Sequence, residues 1–203
     1  YYTNIVGKYG VQVQALLKKV SNMDIKAICP LHGPIWRENL NYILDKYNKW
    51  SKYEPEEKGV MIAYASMYGN TENMANVLAN TFAEKGIKNI RVYDVSHTDL
   101  SQLISESFKY SNIVLASPTY NGEMYPVMKS FVTDMKDLNL QNRTIAVMDN
   151  GTWGAVAGKK IVAILSEMKN ITVIEKVFSV KSTLKTGQEE EFTEFSDTII
   201  QTM

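Results

Sequence analysis

Apolar runs and helix-length stretches alternate along residues 59–203. Val60 to Ala65 is followed by Asn70 to Lys85, and Ile90 to Val95 by Leu100 to Phe108. Asn112 to Ala116 then precedes Pro126 to Leu138, Thr144 to Met148 precedes Ala155 to Met168, and Ile171 to Val180 precedes Glu189 to Thr202. Five strands, each followed by a helix, predict a parallel sheet covered on both faces, because parallel strands need crossover connections that lay helices over the sheet. The runs VMIAYA, NIVLAS and TIAVMD are continuously apolar, as strands buried on both sides require. The expected fold class is α/β, a doubly wound five-stranded parallel sheet in the order 2-1-3-4-5.

Residues 1–50 have a different character. They predict a helical region from Tyr2 to Val20, a short strand from Ile25 to Cys29, a tight turn, and a helix from Glu38 to Lys49. That is too little for an independent core. Ser51 to Lys58 (SKYEPEEK) is polar and charged, contains Pro55, and reads as a linker. The expected organisation is therefore a partial α/β segment over 1–50, a linker over 51–58 and a domain over 59–203. Apolar side chains such as Ile5, Leu16, Leu17 and Ile28 would lack sheet partners in the first segment, and packing against another chain or against the domain over 59–203 is expected to cover them, self-association into a homo-oligomer being preferred. The sequence opens on Tyr1 and enters a helical pattern at once, which leads to the expectation of a piece of a longer protein.

Composition narrows the partners. Apolar residues at 45% and charged residues at 22% are ordinary for a globular chain, and no apolar run is long enough to span a membrane. Lys plus Arg equals Asp plus Glu at 22 each, so nothing calls for nucleic acid or an anionic membrane surface. A single cysteine, Cys29, has no internal disulfide partner and is expected to be a packed thiol. With no basic and apolar leader in view, a reducing cytoplasm is the expected compartment. Glu189 to Glu191 is expected to form the solvated first turn of the last helix, where acids suit the macrodipole.

In an open α/β sheet, ligands bind beyond the carboxyl ends of the strands at the switch point, which singles out the loops after the first, third and fourth strands. The first is Ser66-Met67-Tyr68-Gly69-Asn70-Thr71, small and hydroxyl-bearing, ending where a helix starts. Taken alone it reads as a turn with an N-cap at Asn70 or Thr71. After the first strand of a doubly wound pattern it reads as a phosphate cradle, since a helix N-terminus presents unsatisfied N–H groups and hydroxyls add donors. No Lys or Arg lies in the loop, which favours a monophosphate held by dipoles over a triphosphate with metal.

The second loop, Ser117 to Met124, holds Pro118, Thr119, Tyr120, Asn121 and Gly122; Tyr120 is placed to lie on a ring face, and Asn121-Gly122 to turn the backbone toward a ring edge. Alone it reads equally as a Pro-Gly loop with one exposed Tyr. The third, Asp149 to Gly154, holds Asn150, Gly151, Thr152, Trp153 and Gly154, and a Trp between glycines points to a ligand face or to a surface patch.

Across residues 59–203 the order of elements and all three loops resemble flavodoxins, whose first loop has the form Ser/Thr-x-Thr-Gly-Asn-Thr and wraps the phosphate of flavin mononucleotide (FMN). The resemblance implies FMN as cofactor, and Tyr68 departs from it where the family has Thr. Further upstream, Pro30-x-His32-Gly33-Pro34-Ile35-Trp36 ahead of such a domain looks like the flavodiiron proteins, or A-type flavoproteins, which pair a metallo-β-lactamase-like diiron domain with a C-terminal flavodoxin-like one. On that resemblance residues 1–50 are the end of the diiron domain, and His32 matches its last histidine ligand. The His-x-Glu-x-Asp-His ligand run is absent and His32 and His97 are the only histidines, so these residues cannot complete a two-iron site. His97 is expected in a helix cap.

The implied function is reduction of dioxygen or nitric oxide at the parent protein's diiron site, with FMN relaying electrons from rubredoxin or a related donor. Two rivals remain. A free-standing flavodoxin-type electron carrier is disfavoured by the 50-residue extension and by the small net charge of residues 59–203, thirteen bases against sixteen acids. A phospho-receiver of the same fold needs an Asp ending the first strand, where Ala65 and Ser66 stand.

Overall fold

A computed structural model describes residues 1–203. Three strands form the centre of the sheet: β1 (Glu57–Tyr64), β3 (Tyr110–Tyr120) and β5 (Arg143–Asn150). β2 (Ile90–Asp94) pairs with the outer side of β1, and β6 (Ile171–Val173) and β7 (Phe178–Val180) both pair with β5, all parallel. The neighbours thus follow the expected order, with two changes: a two-residue strand, β4 (Glu123–Met124), adds antiparallel to β3, and the predicted fifth strand, Ile171 to Val180, is two strands. The polar pair Glu175-Lys176 lies in the break, where the apolar pattern that holds a strand to the sheet lapses.

Side chains alternate across the sheet as strand geometry demands. On one face Met61, Ala63, Ile113, Leu115, Ile145 and Val147 pack against α4 (Leu100–Lys109), α5 (Pro126–Asp137) and α6 (Ala157–Leu165). On the other, Val60, Ile62, Val114, Ala146 and Met148 pack against α3 (Asn70–Glu84) and α7 (Glu189–Ile200). Both faces are covered, which is why the central runs carry no polar alternation. Glu189, Glu190 and Glu191 form the first turn of α7, as expected. No helix is long and apolar enough to cross a membrane.

The first fifty residues differ most from expectation. The single helix predicted over Tyr2 to Val20 is a π-helical turn (Tyr2–Val6), a short 3₁₀ turn (Gly7–Tyr9) and then α1 (Gly10–Val20). Gly10 is where α1 meets the end of α2 (Leu40–Ser51), and a Cβ there would lie 2.3 Å from the Ser51 carbonyl oxygen. No strand forms over Ile25 to Cys29. Ile28 makes one isolated antiparallel bridge to Trp36, which does not extend because in that register Pro30 falls opposite Pro34 and neither has an N–H to give. Cys29 is exposed rather than packed, since without a strand there is no layer behind it.

Ser51 to Lys58, expected as a linker, is pinned along its length. Tyr53 is buried within the larger apolar cluster at a φ of 59°, Asn142 donates to the Lys52 carbonyl at 3.1 Å, and Glu57 already belongs to β1. Lys46 and the Trp50 indole N–H both reach the Glu56 carboxylate.

Candidate functional site

β1 delivers the first loop directly to the start of α3. Gly69, at φ 83°, turns the chain in a left-handed conformation that a side chain would strain, and its N–H donates to Ser66 Oγ at 3.0 Å. α3 makes no side-chain cap hydrogen bond, so the N–H groups of its first turn stay directed outward. Thr71 is buried; Tyr68, by contrast, is 88% exposed.

The second loop is a hairpin. Thr119 and Tyr120 at the end of β3 pair antiparallel with Met124 and Glu123 of the two-residue β4 (Glu123–Met124), joined by Asn121 (φ 51°) and Gly122 (φ 70°). Two central residues at positive φ make this a two-residue turn that matches strand twist. Ser117 Oγ accepts the Tyr125 N–H at 3.1 Å, and Thr119 Oγ1 accepts the N–H groups of Val156 and Ala157 at 2.9 and 3.2 Å. Thr119 thus caps α6 and ties the second loop to the third, leaving its hydroxyl hydrogen to donate elsewhere. Tyr120 is exposed and meets Tyr125 edge-on, with centroids 5.9 Å apart.

The third loop leaves β5 at Asp149 and Asn150, both buried. Asp149 Oδ2 accepts the Gly158 N–H at 2.9 Å and Oδ1 accepts from Ser179 Oγ at 2.5 Å, so this carboxylate is consumed in holding α6 and β7. Asn150 faces the first loop, its Nδ2 3.5 Å from Thr71 Oγ1. Trp153 is fully exposed.

These loops enclose a pocket of about 90 Å³ lined by Ser66, Met67, Tyr68, Asn70, Thr71, Pro118, Thr119, Asn150, Gly151, Thr152 and Ser182. Ten residues expected from the sequence meet there. Gly69, Tyr120, Asn121, Gly122, Trp153 and Gly154 stand outside its wall; Tyr120 lines a separate hollow with Glu123 and Lys129. Ser182, in the loop after β7, was not anticipated; only the β5–β7 pairing brings it in. The lining carries no Lys, Arg, Asp or Glu. It offers hydroxyls, two carboxamides and the N-terminus of a fifteen-residue helix, the donor set for an anion held without a counter-charge. Behind the loop the Tyr64 phenol is pushed up to about 12, first by burial and then by Asp94 and Glu72.

The two histidines lie elsewhere. His32 stacks on Tyr1 with centroids 4.2 Å apart and lines an apolar cleft of about 390 Å³ within residues 1–50, together with Leu16, Leu17, Ile28, Trp36 and Trp50. His97 is not in a helix cap: its Nδ1 lies 2.7 Å from Asp94 Oδ2 in an exposed turn, and α4 starts three residues later. No three or more His, Cys, Asp and Glu side chains converge as a metal-holding group.

The fold and pocket define an open α/β protein with a polar, uncharged pocket at the switch point of its sheet. Residues 62–195 match the family described as Flavodoxin, and the chain belongs to that family, which implies an FMN site. Among relatives, the protein MJ0732 of Methanocaldococcus jannaschii is 31% identical over 181 residues, covering 89% of this chain and 46% of that protein. A nitric oxide reductase of Moorella thermoacetica is 29% identical over 179 residues, covering 87% and 43%. Of solved structures, rubredoxin oxygen:oxidoreductase of Desulfovibrio gigas superposes with a TM-score of 0.86 at 26% identity, over 99% of this chain and 50% of that one. The flavodiiron protein of Giardia intestinalis superposes at 0.83 with 24% identity, over 100% and 50%. The chain spans about half the length of these relatives, residues 1–50 included in the superpositions.

Proposed function

We propose that this chain is the FMN-binding electron-transfer part of a flavodiiron protein, passing electrons to a diiron site that reduces dioxygen or nitric oxide. The observation that carries the flavin reading is the convergence of ten loop residues on a pocket at the start of α3 with donors and no counter-charge. Ser66, Thr71 and the first-turn N–H groups of α3 would hold the phosphate. Asn150, Gly151 and Thr152, with the second loop, would line the path outward, and Tyr120 and Trp153, both exposed, would bracket the ring system. When bound, FMN supplies reversible one- and two-electron transfer; the protein binds and orients it and limits water at its phosphate end.

The diiron part of the reading rests on the relatives named nitric oxide reductase and rubredoxin oxygen:oxidoreductase, and on the superposition of residues 1–50 within the latter. In this reading residues 1–50 are the end of a metallo-β-lactamase-like domain, 51–58 a connection and 59–203 the flavin domain, in a cytoplasmic protein reduced by a rubredoxin-like donor. The residues present do not fit a diiron centre by themselves: His32 is a single ligand in an apolar wall, and the remaining ligands would have to come from outside these 203 residues. The apolar cleft around His32 would be covered by the rest of that domain, or in the 203-residue chain alone by a second copy. The purified chain is expected to be yellow, with one FMN per chain and no stoichiometric iron. A colourless protein that takes up no FMN in titration would refute the flavin reading, and bound iron near two per chain would refute the ligand argument.

A further inference from the structure

The loop after β7 follows a short edge strand and carries no motif, yet it is held against the pocket by a specific clamp. The buried Asn150 carboxamide meets both backbone groups of one residue: Nδ2 donates to the Ser182 carbonyl at 2.8 Å, and Oδ1 accepts the Ser182 N–H at 3.1 Å. This is the pairing that a neighbouring strand would provide, supplied by one side chain. It holds Ser182 at φ 73°, a conformation unfavourable for an L residue other than Gly, Asn or Asp. The Ser182 hydroxyl then lies 3.2 Å from Thr152 Oγ1 in the wall of the pocket, while the same Asn150 Nδ2 reaches Thr71 Oγ1. A strained serine, clamped on both sides and presenting its hydroxyl to an uncharged pocket, is a donor set in place rather than a loop residue passing by.

We infer that the loop after β7 is a fourth wall of the site, in which Ser182 donates to the phosphate of the bound mononucleotide and Asn150 is its positioning residue. The inference rests on the flavin reading above. It makes Ser182 a determinant of FMN over riboflavin, the same ring system without phosphate.

The test is titration of FMN and riboflavin, followed by flavin fluorescence, into apoprotein of the full chain. Ser182→Gly keeps the left-handed backbone without strain and removes the hydroxymethyl side chain. It is expected to weaken FMN about tenfold and riboflavin less than about twofold. Ser182→Asp, also tolerated at positive φ, sets a carboxylate against the phosphate; it is expected to weaken FMN by at least about a hundredfold, less so in high salt, with riboflavin changed far less. Asn150→Ala should lower the preference for FMN in the wild-type background and clearly less beside Ser182→Gly, where only its contact with Thr71 remains to be lost. Equal losses of both flavins, or no loss of FMN in either Ser182 variant, overturn the inference while leaving the flavin reading intact. An Asn150→Ala effect of the same size in both backgrounds overturns the positioning role. A wild-type chain that binds neither flavin overturns the flavin reading and this inference with it.

Discussion

The guanidinium of Arg143 donates to the carbonyl oxygen of Tyr53 at 2.7 Å, joining the first residue of β5 to the segment that precedes β1. Arg143 is 2% exposed, and it also donates to the carbonyls of Ser107, Phe108, Gln141 and Asn142. Ser107 and Phe108 lie at the end of α4, whose last carbonyls have no helical partner and would otherwise be buried unsatisfied. One charge thus closes a helix end and fastens residues 51–56 to the sheet. Burial lowers its pKa to about 10 against the opposing pull of Glu56. Arg143→Met keeps much of the bulk and strands these acceptors, so it is expected to cost about 2 to 3 kcal/mol of unfolding free energy. Denaturant melts of the two proteins check it; a loss below about 0.5 kcal/mol would show that water replaces the guanidinium at little cost.

The central sheet was legible because β1, β3 and β5 are buried on both faces and leave continuous apolar runs with no other reading. The break in the fifth strand was not, since two polar residues inside a ten-residue run do not say whether the chain bulges or simply faces water. The hairpin at Asn121-Gly122 could have been read from its dipeptide, a signal for two central residues at positive φ. Ser182 could not. Its place depends on β7 pairing with β5 and on which way Asn150 points, neither of which is a local property. Arg143 was hidden for the opposite reason, because a charged residue opening a strand looks like a solvated edge. In residues 1–50 the strand expected over Ile25 to Cys29 failed because its pairing with the Trp36 segment stops at one bridge, Pro30 falling opposite Pro34.

Alkaline stability is expected to fall through the tyrosines. Tyr64 and Tyr93 are both pushed up to about 12, chiefly by burial, with Asp94 and Glu72 acting on the first and Glu106 on the second. A phenol whose folded pKa lies above its ordinary 10.0 holds its proton more tightly when folded. Its contribution is therefore complete below pH 10 and is lost as pH rises through about 12. Arg143 acts in the opposite sense, folding becoming less costly once its proton leaves above about pH 10. The double variant Tyr64→Phe, Tyr93→Phe should therefore lose less stability between pH 10 and 12 than the wild type. Identical slopes in denaturant melts across that range would assign the alkaline loss to other groups.

Trp153, next to the pocket residue Thr152, stands fully exposed, whereas Trp36 and Trp50 line the cleft of residues 1–50. Adding FMN to apoprotein should quench part of the tryptophan emission, and Trp153→Phe should remove most of that response while Trp36→Phe leaves it. Quenching that survives in Trp153→Phe would place the ring system away from the third loop.

Leu16 is 57% exposed, Ile5 55% and Leu31 97%, and the cleft beside them is walled almost wholly by apolar side chains, an arrangement that a monomer in water seldom keeps bare. Residues 1–7 already pack on α4, where Asn4 Nδ2 donates to the Ser101 carbonyl at 2.9 Å, and α1 meets α2 through Gln14 Nε2, which donates to Ser51 Oγ at 2.7 Å; the cleft is lined only by residues 1–50. The 203-residue chain is therefore expected to self-associate, with light scattering giving masses above 23.0 kDa that rise with concentration. Leu16→Glu, at an exposed position on α1, should shift the population toward monomer, because a carboxylate at the mouth of the cleft must be desolvated for a second copy to cover it. FMN affinity should not change, since Leu16 lies in the cleft of residues 1–50 and not in the wall of the flavin pocket. A wild-type chain that remains monomeric at all concentrations would mean that the cleft is stable in water, and a Leu16→Glu chain that loses FMN would mean that residues 1–50 support the flavin domain directly.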